Sequence, residues 1–297
     1  MGRHFLQIPG PTNVPDRVLR AIAQPTIDHR GPAFARLAGE LLERLKTVFN
    51  TSGHVVVYPS SGTGAWEAAL VNTLSPGDRV LAFETGHFST LWCEMAARLG
   101  LVVDVVPGDW RHGADPALVA EHLTPDVAAV MVVHNETSTG VRSRVQEIRA
   151  ALDRAGHGAL LLVDTISSLG SMDYRHDEWG VDVTVGCSQK GLMLPPGIGF
   201  NAVSEKALAH RGGCRARTGT GSRSSRPTGR ASSRTRRPPT CCTACARRSS
   251  CWRRRAWTRS SPGTTGTPRR PAGPCAAGGW RCSAPTSANT PARSRPC

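Results

Sequence analysis

The sequence predicts an α/β protein built on a doubly wound, mostly parallel sheet over residues 21–210. Three observations predict it. Six short apolar runs have the length of strands and lack the alternation of a half-wet sheet, so most read as buried on both faces. Amphipathic stretches of helical period lie between them, and a Gly or Pro stands close behind the last turn of several.

The first 20 residues form a proline-rich arm, in which "PGPTNVPDRVLRAI" leads into a helix beginning near Pro15. "GPAFARLAGELLERLKTVF" is a long amphipathic helix. Strands are then expected at "HVVVYP" (54–59), "RVLAFE" (79–84), "LVVDVVP" (101–107), "VAAVMVVH" (127–134), "ALLLVD" (159–164) and "VDVTVG" (181–186). "TGAWEAALVNTL", "FSTLWCEMAARLG", "DPALVAEHL" and "RVQEIRAALDRAG" supply helices between them. Strand, helix, strand repeated in this way makes parallel neighbours.

Residues 211–297 differ in kind. The chain carries a net charge of +15, which by itself suggests a nucleic-acid or membrane-surface partner. Yet residues 1–210 hold 17 basic and all 22 acidic residues, while the tail holds 20 arginines and no acid. The folded part is therefore expected to bind neither nucleic acid nor membrane. The tail has no Leu, Ile, Val, Met, Phe or Tyr, and no stable fold is expected of it. Eight of the ten cysteines lie there, but their spacing is irregular and no histidine accompanies them, so no metal site is expected. A shifted reading frame explains the composition best. Back-translating "CRARTGTG" with permitted codons and reading from the third base gives Pro-Arg-Ala-Tyr-Trp-Asp-Trp. The same shift turns "SSRTR" into Phe-Pro-Tyr-Thr-Pro and restores apolar sequence at "PTCCTACAR". The alternative is a disordered Arg-rich tail that binds RNA or anionic surfaces. Cys93 and Cys187 stand alone in the remainder, which fits a reducing compartment, and the start lacks the apolar run of a signal peptide, so a cytoplasmic protein is expected.

Ligands of such sheets bind at the carboxyl ends of the strands. After the first strand, "PSSGTGAWEAAL" runs a small-residue turn into a helix, where Ser61, Gly62 and Thr63 either cap the helix or cradle a phosphate on its free N–H groups. Asp164 ends the fifth strand and suits a cap, a ring N–H or a metal. His134, Asn135, Glu136 and Thr137 follow the fourth strand as a polar cluster or a solvated turn. Lys190, one of only three lysines against 34 arginines, follows the sixth among small residues. It is either surface decoration or an amine kept from water, the condition for Schiff-base chemistry with a carbonyl. An anion cradle, an acid for a ring nitrogen and an amine for an aldehyde together match pyridoxal phosphate.

The motifs "PGPTNVP" (9–15), "HRGPAF" (29–34), "SSGTGAWEAAL" (60–70), "GHFSTLW" (86–92), "HNETSTG" (134–140), "DTISSLG" (164–170) and "CSQKGLMLPPG" (187–197) recur in the order of a known family. They resemble the class V pyridoxal-phosphate aminotransferases, nearest the serine–glyoxylate and alanine–glyoxylate group. The resemblance implies a fold-type-I enzyme, homodimeric, acting on an amino acid and a 2-oxo acid. By motif, Lys190 would form the Schiff base with pyridoxal 5′-phosphate and Gln189 would help hold its phosphate. Ser61, Gly62 and Thr63 would also contact that phosphate. Asp164 would pair with the ring nitrogen, Phe88 would stack on the ring, and Thr137 would bond its phenolic oxygen. Family members more often carry a larger aromatic at the Phe88 position. The resemblance stops near His210, leaving the large domain incomplete and the chain impaired or inactive. A cysteine desulfurase or phosphonate aminotransferase would share Lys190 and Asp164, although neither Cys93 nor Cys187 sits in a desulfurase-like loop. A non-catalytic remnant with a basic tail is the other alternative.

Overall fold

A computed structural model describes residues 5–210. The expectations for residues 211–297, concerning frame, order and charge, lie outside the described residues.

Helices α1 (Asp16–Ile22) and α2 (Pro32–Phe49) precede the sheet, and Pro15 is the N-cap of α1. The strands are β1 (His54–Ser60), β2 (Arg79–Phe83), β3 (Val102–Val106), β4 (Val127–Val133), β5 (Leu160–Asp164), β6 (Val183–Cys187) and β7 (Gly197–Val203). The remaining helices are α3 (Gly62–Thr73), α4 (His87–Arg98), α5 (Ala117–His122), α6 (Val145–Arg154) and α7 (Glu205–Ala209). Six of the strands fall where the apolar runs place them, within two residues at each end.

The sheet order is β1-β7-β6-β5-β4-β2-β3. β2 through β6 are parallel, whereas β7 runs antiparallel to both β1 and β6. All five residues of β5 are buried, as are all five of β6, because helices cover both faces. Alternate residues feed two cores. Leu81, Val130, Leu161 and Val163 meet Phe49, Ile148 and Leu152 on one face. Val80, Ala129, Leu160 and Leu162 meet Leu70 and Trp92 on the other. Burying one such Leu or Val stabilises the fold by about 1.5–3 kcal/mol.

One strand escaped the sequence. "GIGF" reads as packed chain, yet it begins β7, which inserts between β1 and β6 in register His54↔Val203 and Val183↔Val203. The N-terminal helices are also less buried than an amphipathic pattern implies. α1 buries no residue, and α2 buries only Leu45 and Phe49. Among the described residues no helix is long and apolar enough to cross a membrane.

Candidate active site

β1 runs parallel to β6 although β7 separates them, so β1, β4, β5 and β6 end on one rim of the sheet. Four pieces of chain build a site there.

The first is the start of α3. Ser61 is its N-cap and its Oγ accepts from Gly64 N at 3.5 Å. Capping and anion binding coexist, since the earliest N–H groups of a helix have no intrahelical partner. A Cβ on Gly62 would stand 2.5 Å from Ile166 Cδ1, so this turn presses directly on the chain leaving β5. Ser61 and Thr63 remain exposed to a ligand.

The second is Asp164, 4% exposed at the end of β5. Its Oδ1 accepts from Ile166 N at 2.6 Å and its Oδ2 from the Trp66 indole at 2.8 Å. Burial pushes the carboxyl up to about 7, and the Glu136 charge adds to this, while the two N–H donors and Lys190 pull it down. Each oxygen keeps a free lone pair. The acid is thus poised to respond to a cation placed against it.

The third is "HNETSTG", in which His134 and Glu136 are buried polar groups while Ser138 and Gly140 reach solvent. His134 is 2% exposed and its Nδ1 pairs with Ser168 Oγ at 2.9 Å. Glu136 is fully buried and accepts from Phe88 N (3.3 Å), Ser89 N (3.0 Å), Ser138 N (3.1 Å) and Ser138 Oγ (2.8 Å). Gly86, the N-cap of α4, has no side chain to cap with, so Glu136 supplies the acceptor from a different loop. A Cβ on Gly86 would lie 2.5 Å from Glu136 Cγ, which is why that cap position carries glycine. Phe88, half-buried, is thereby held by its N–H on this carboxylate, and half-buried Thr137 follows Glu136 in the chain.

The fourth is the lysine loop. Ser188, fully buried, closes it: Ser188 Oγ donates to Pro195 O at 2.7 Å, and Leu194 N donates to Ser188 O at 3.0 Å. Met193 sits at φ 55°, a conformation rare for a side-chain-bearing residue, and its N–H bonds Lys190 O at 2.9 Å. Lys190 is half-buried, not fully withdrawn from water, and its Nζ donates to Pro9 O at 3.1 Å. The arm crosses above it, with Thr12 N on Gln189 O at 3.1 Å, and a Cβ on Gly10 would sit 2.6 Å from Lys190 Cδ. Gln189 Oε1 is buried without a partner.

The candidate cofactor residues therefore lie along this one rim, at a strand end, at helix starts and in the loops between them. Three contributors went unnoticed in the sequence: Trp66 as a donor to Asp164, Glu136 as a cap, and Pro9 as an acceptor for Lys190. Burial pushes the thiols of Cys93 and Cys187 up to about 11, so neither is poised as a thiolate. No metal-holding cluster of His, Cys, Asp or Glu occurs among the described residues.

The buried acids and bases set a pH dependence. Burial pushes His134 and His176 down to about 4, so the unfolded chain takes up their protons first and each costs stability as pH falls from about 6.5 toward 4. Asp164 works in the opposite sense, because the folded chain binds its proton first and gains as pH falls from about 7 toward 4. Two histidines against one aspartate leave a net of one proton. Stability is expected to decline by about 1 kcal/mol per pH unit between pH 6.5 and 4.5, read from urea midpoints. A flat or rising profile would contradict the burial of these histidines.

The family described as "Aminotransferase class-V" matches residues 4–224, about three quarters of the chain. A serine–glyoxylate aminotransferase of Methylorubrum extorquens is 52% identical over 212 residues, 70% of this chain and 53% of that protein. An L-aspartate–glyoxylate aminotransferase of Paracoccus denitrificans is 50% identical over 206 residues, covering 68% and 52%. Among solved structures, an alanine–glyoxylate aminotransferase from Nostoc sp. superposes with a TM-score of 0.65 at 32% identity, covering 71% of this chain and 58% of that one. The chain spans about half the length of the curated relatives it matches. With the mostly parallel sheet, the motifs on one rim and this breadth of match, the chain belongs to the class V aminotransferases.

Proposed function

We propose that residues 21–210 are the cofactor-binding domain of an aminotransferase that moves an amino group from serine or alanine to glyoxylate or another 2-oxo acid. The cofactor is pyridoxal 5′-phosphate. What carries this reading is the meeting of Lys190, Asp164 and the start of α3 on one rim of the sheet.

The residues present fit that cofactor. Asp164 is a buried carboxylate with lone pairs to spare, and the α3 turn is made of small residues. Ser61, Gly62, Thr63 and Gln189 would hold the phosphate, Phe88 would lie against the ring, and Thr137 would bond the phenolic oxygen. Pyridoxal phosphate supplies an aldehyde for an amine and a ring that draws electrons from the α-carbon of an amino acid. Lys190 Nζ would supply the amine that holds the aldehyde and, as a general base and acid, would carry the α-proton of the substrate. Asp164 would pair with the ring nitrogen and keep its proton there, and the Pro9 to Thr12 arm lies against the lysine loop through Lys190 Nζ on Pro9 O and Thr12 N on Gln189 O.

This chain, incubated with pyridoxal phosphate, is expected to bind cofactor with a new visible absorbance, while with serine and glyoxylate added it should form little or no glycine. Cofactor binding without turnover would support the domain and place the defect beyond residue 210, in keeping with a changed reading frame there. Sequencing the locus past that codon tests the frame directly.

A second copy of the chain is the expected partner. Leu37, Leu41, Leu45 and Phe49 recur every fourth residue on α2, yet Leu37 and Leu41 are 55% and 48% exposed. Leu19 and Ile22 on α1 are 48% and 56% exposed. Such a stripe continues a core into solvent and calls for cover. We also place the chain in the cytoplasm, because Cys93 and Cys187 are unpaired.

A further inference from the structure

We propose that Trp66 is a positioning residue for the cofactor ring: its indole N–H fixes the Asp164 carboxylate in the plane that meets the ring nitrogen. The inference rests on the pyridoxal-phosphate reading and concerns a residue that the family motifs do not assign.

Trp66 is 4% exposed, and its Nε1 lies 2.8 Å from Asp164 Oδ2. An indole N–H can only donate, so it marks one carboxylate oxygen permanently as an acceptor. The other oxygen is held by Ile166 N at 2.6 Å. Two donors from two separate elements therefore fix both ends of the carboxylate, and rotation about its χ2 would break both bonds. The indole is itself aimed: it stacks on Trp92 with ring centroids 5.9 Å apart and an interplanar angle of 15°, and Trp92 is 1% exposed. A tryptophan that served only to fill the core would need no acceptor aligned with its nitrogen. Trp92 shows the contrast, since its Nε1 is buried with no partner.

Position along the helix adds the second half. Trp66 lies one turn into α3, the helix whose first turn, with its N-cap Ser61, would hold the phosphate. One rigid element would thus set both the phosphate end and, through Asp164, the ring-nitrogen end of the ligand. A carboxylate left free to rotate would meet the ring nitrogen in only part of its orientations.

The test compares two ligands on the full-length protein by equilibrium dialysis: pyridoxal phosphate, and its analogue with the ring nitrogen replaced by carbon. Trp66→Phe keeps a stacked ring and removes the donor. It is expected to weaken pyridoxal phosphate about ten-fold while changing the analogue less than about two-fold. Trp92→Phe keeps the Trp66 donor but loosens its aim, so the same selectivity is expected at about three-fold, and this variant carries the test if Trp66→Phe does not fold. Equal losses for both ligands, or no loss, would show a purely structural role and overturn the proposal. Failure of the unaltered protein to bind pyridoxal phosphate at all would instead overturn the cofactor reading, and this proposal with it.

Discussion

Lys190→Ala is expected to lose covalent attachment of pyridoxal phosphate and, with it, about a thousand-fold or more of any transamination the chain supports, because one side chain would serve as both nucleophile and proton carrier. The lysine cannot be replaced from nearby. The two other lysines are Lys46, ion-paired with Glu43 on α2, and Lys206, whose Nζ binds Ala159 O beyond the opposite ends of the strands. Borohydride reduction of the cofactor-loaded protein should leave a covalent label on the peptide containing Lys190, detected by mass spectrometry, and none in the alanine variant. Lys46→Ala should label and react as the unaltered protein does. Small primary amines added to Lys190→Ala should restore part of the rate, since the site lacks only the base. A label found on Lys206 or Lys46 would end this assignment.

Glu136→Ala should be the most destabilising single change in the site loops. It strips an acceptor from the backbone N–H groups of Phe88, Ser89 and Ser138, of which Ser89 is buried, Phe88 half-buried and Ser138 exposed. Water cannot take over at Ser89. Each orphaned buried donor costs about 1–3 kcal/mol, and loss of a helix cap costs about 1 kcal/mol, so a total near 3 kcal/mol or more is expected. For a domain of this size that lowers the melting temperature by about 10 °C. Glu136→Gln keeps one acceptor oxygen and should lose less than half as much. The Phe88 ring should also lose its fixed place, so the alanine variant should bind pyridoxal phosphate more weakly even at temperatures where it remains folded. A melting temperature within about 2 °C of the unaltered chain would contradict the trans-capping role.

The sheet was legible because strands buried on both faces must be almost wholly apolar, and β4 and β5 are. β7 was not, because Gly197, Gly199 and Asn201 interrupt its apolar pattern. Asn201 is tolerated at 0% exposure only because its amide donates to Ala65 O and Thr184 O at 3.3 Å and its carbonyl accepts from Tyr58 Oη. Those partners come from β1, α3 and β6, and nothing local announces them. The candidate site divides in the same manner. Lys190 and Asp164 stood out because each ends an apolar run. Trp66 and Glu136 looked like ordinary members of a helix and a turn, since their partners lie 98 and 48 residues away.

The strand that joins β1 to β6 has a bearing on the order in which this domain can be made. A ribosome releases β1 early, but its only hydrogen-bonded neighbour in the sheet among the described residues is β7, about 140 residues later in the chain. Until residue 203 has emerged, β1 and the α3 turn that follows it cannot be locked beside the lysine loop, so closure of the rim is a late, long-range event in synthesis. A stop or frame change before that point would leave the nascent sheet with an open edge at β6, prone to pair with other chains. One placed after His210 would leave all the strands described in residues 5–210 already in hand.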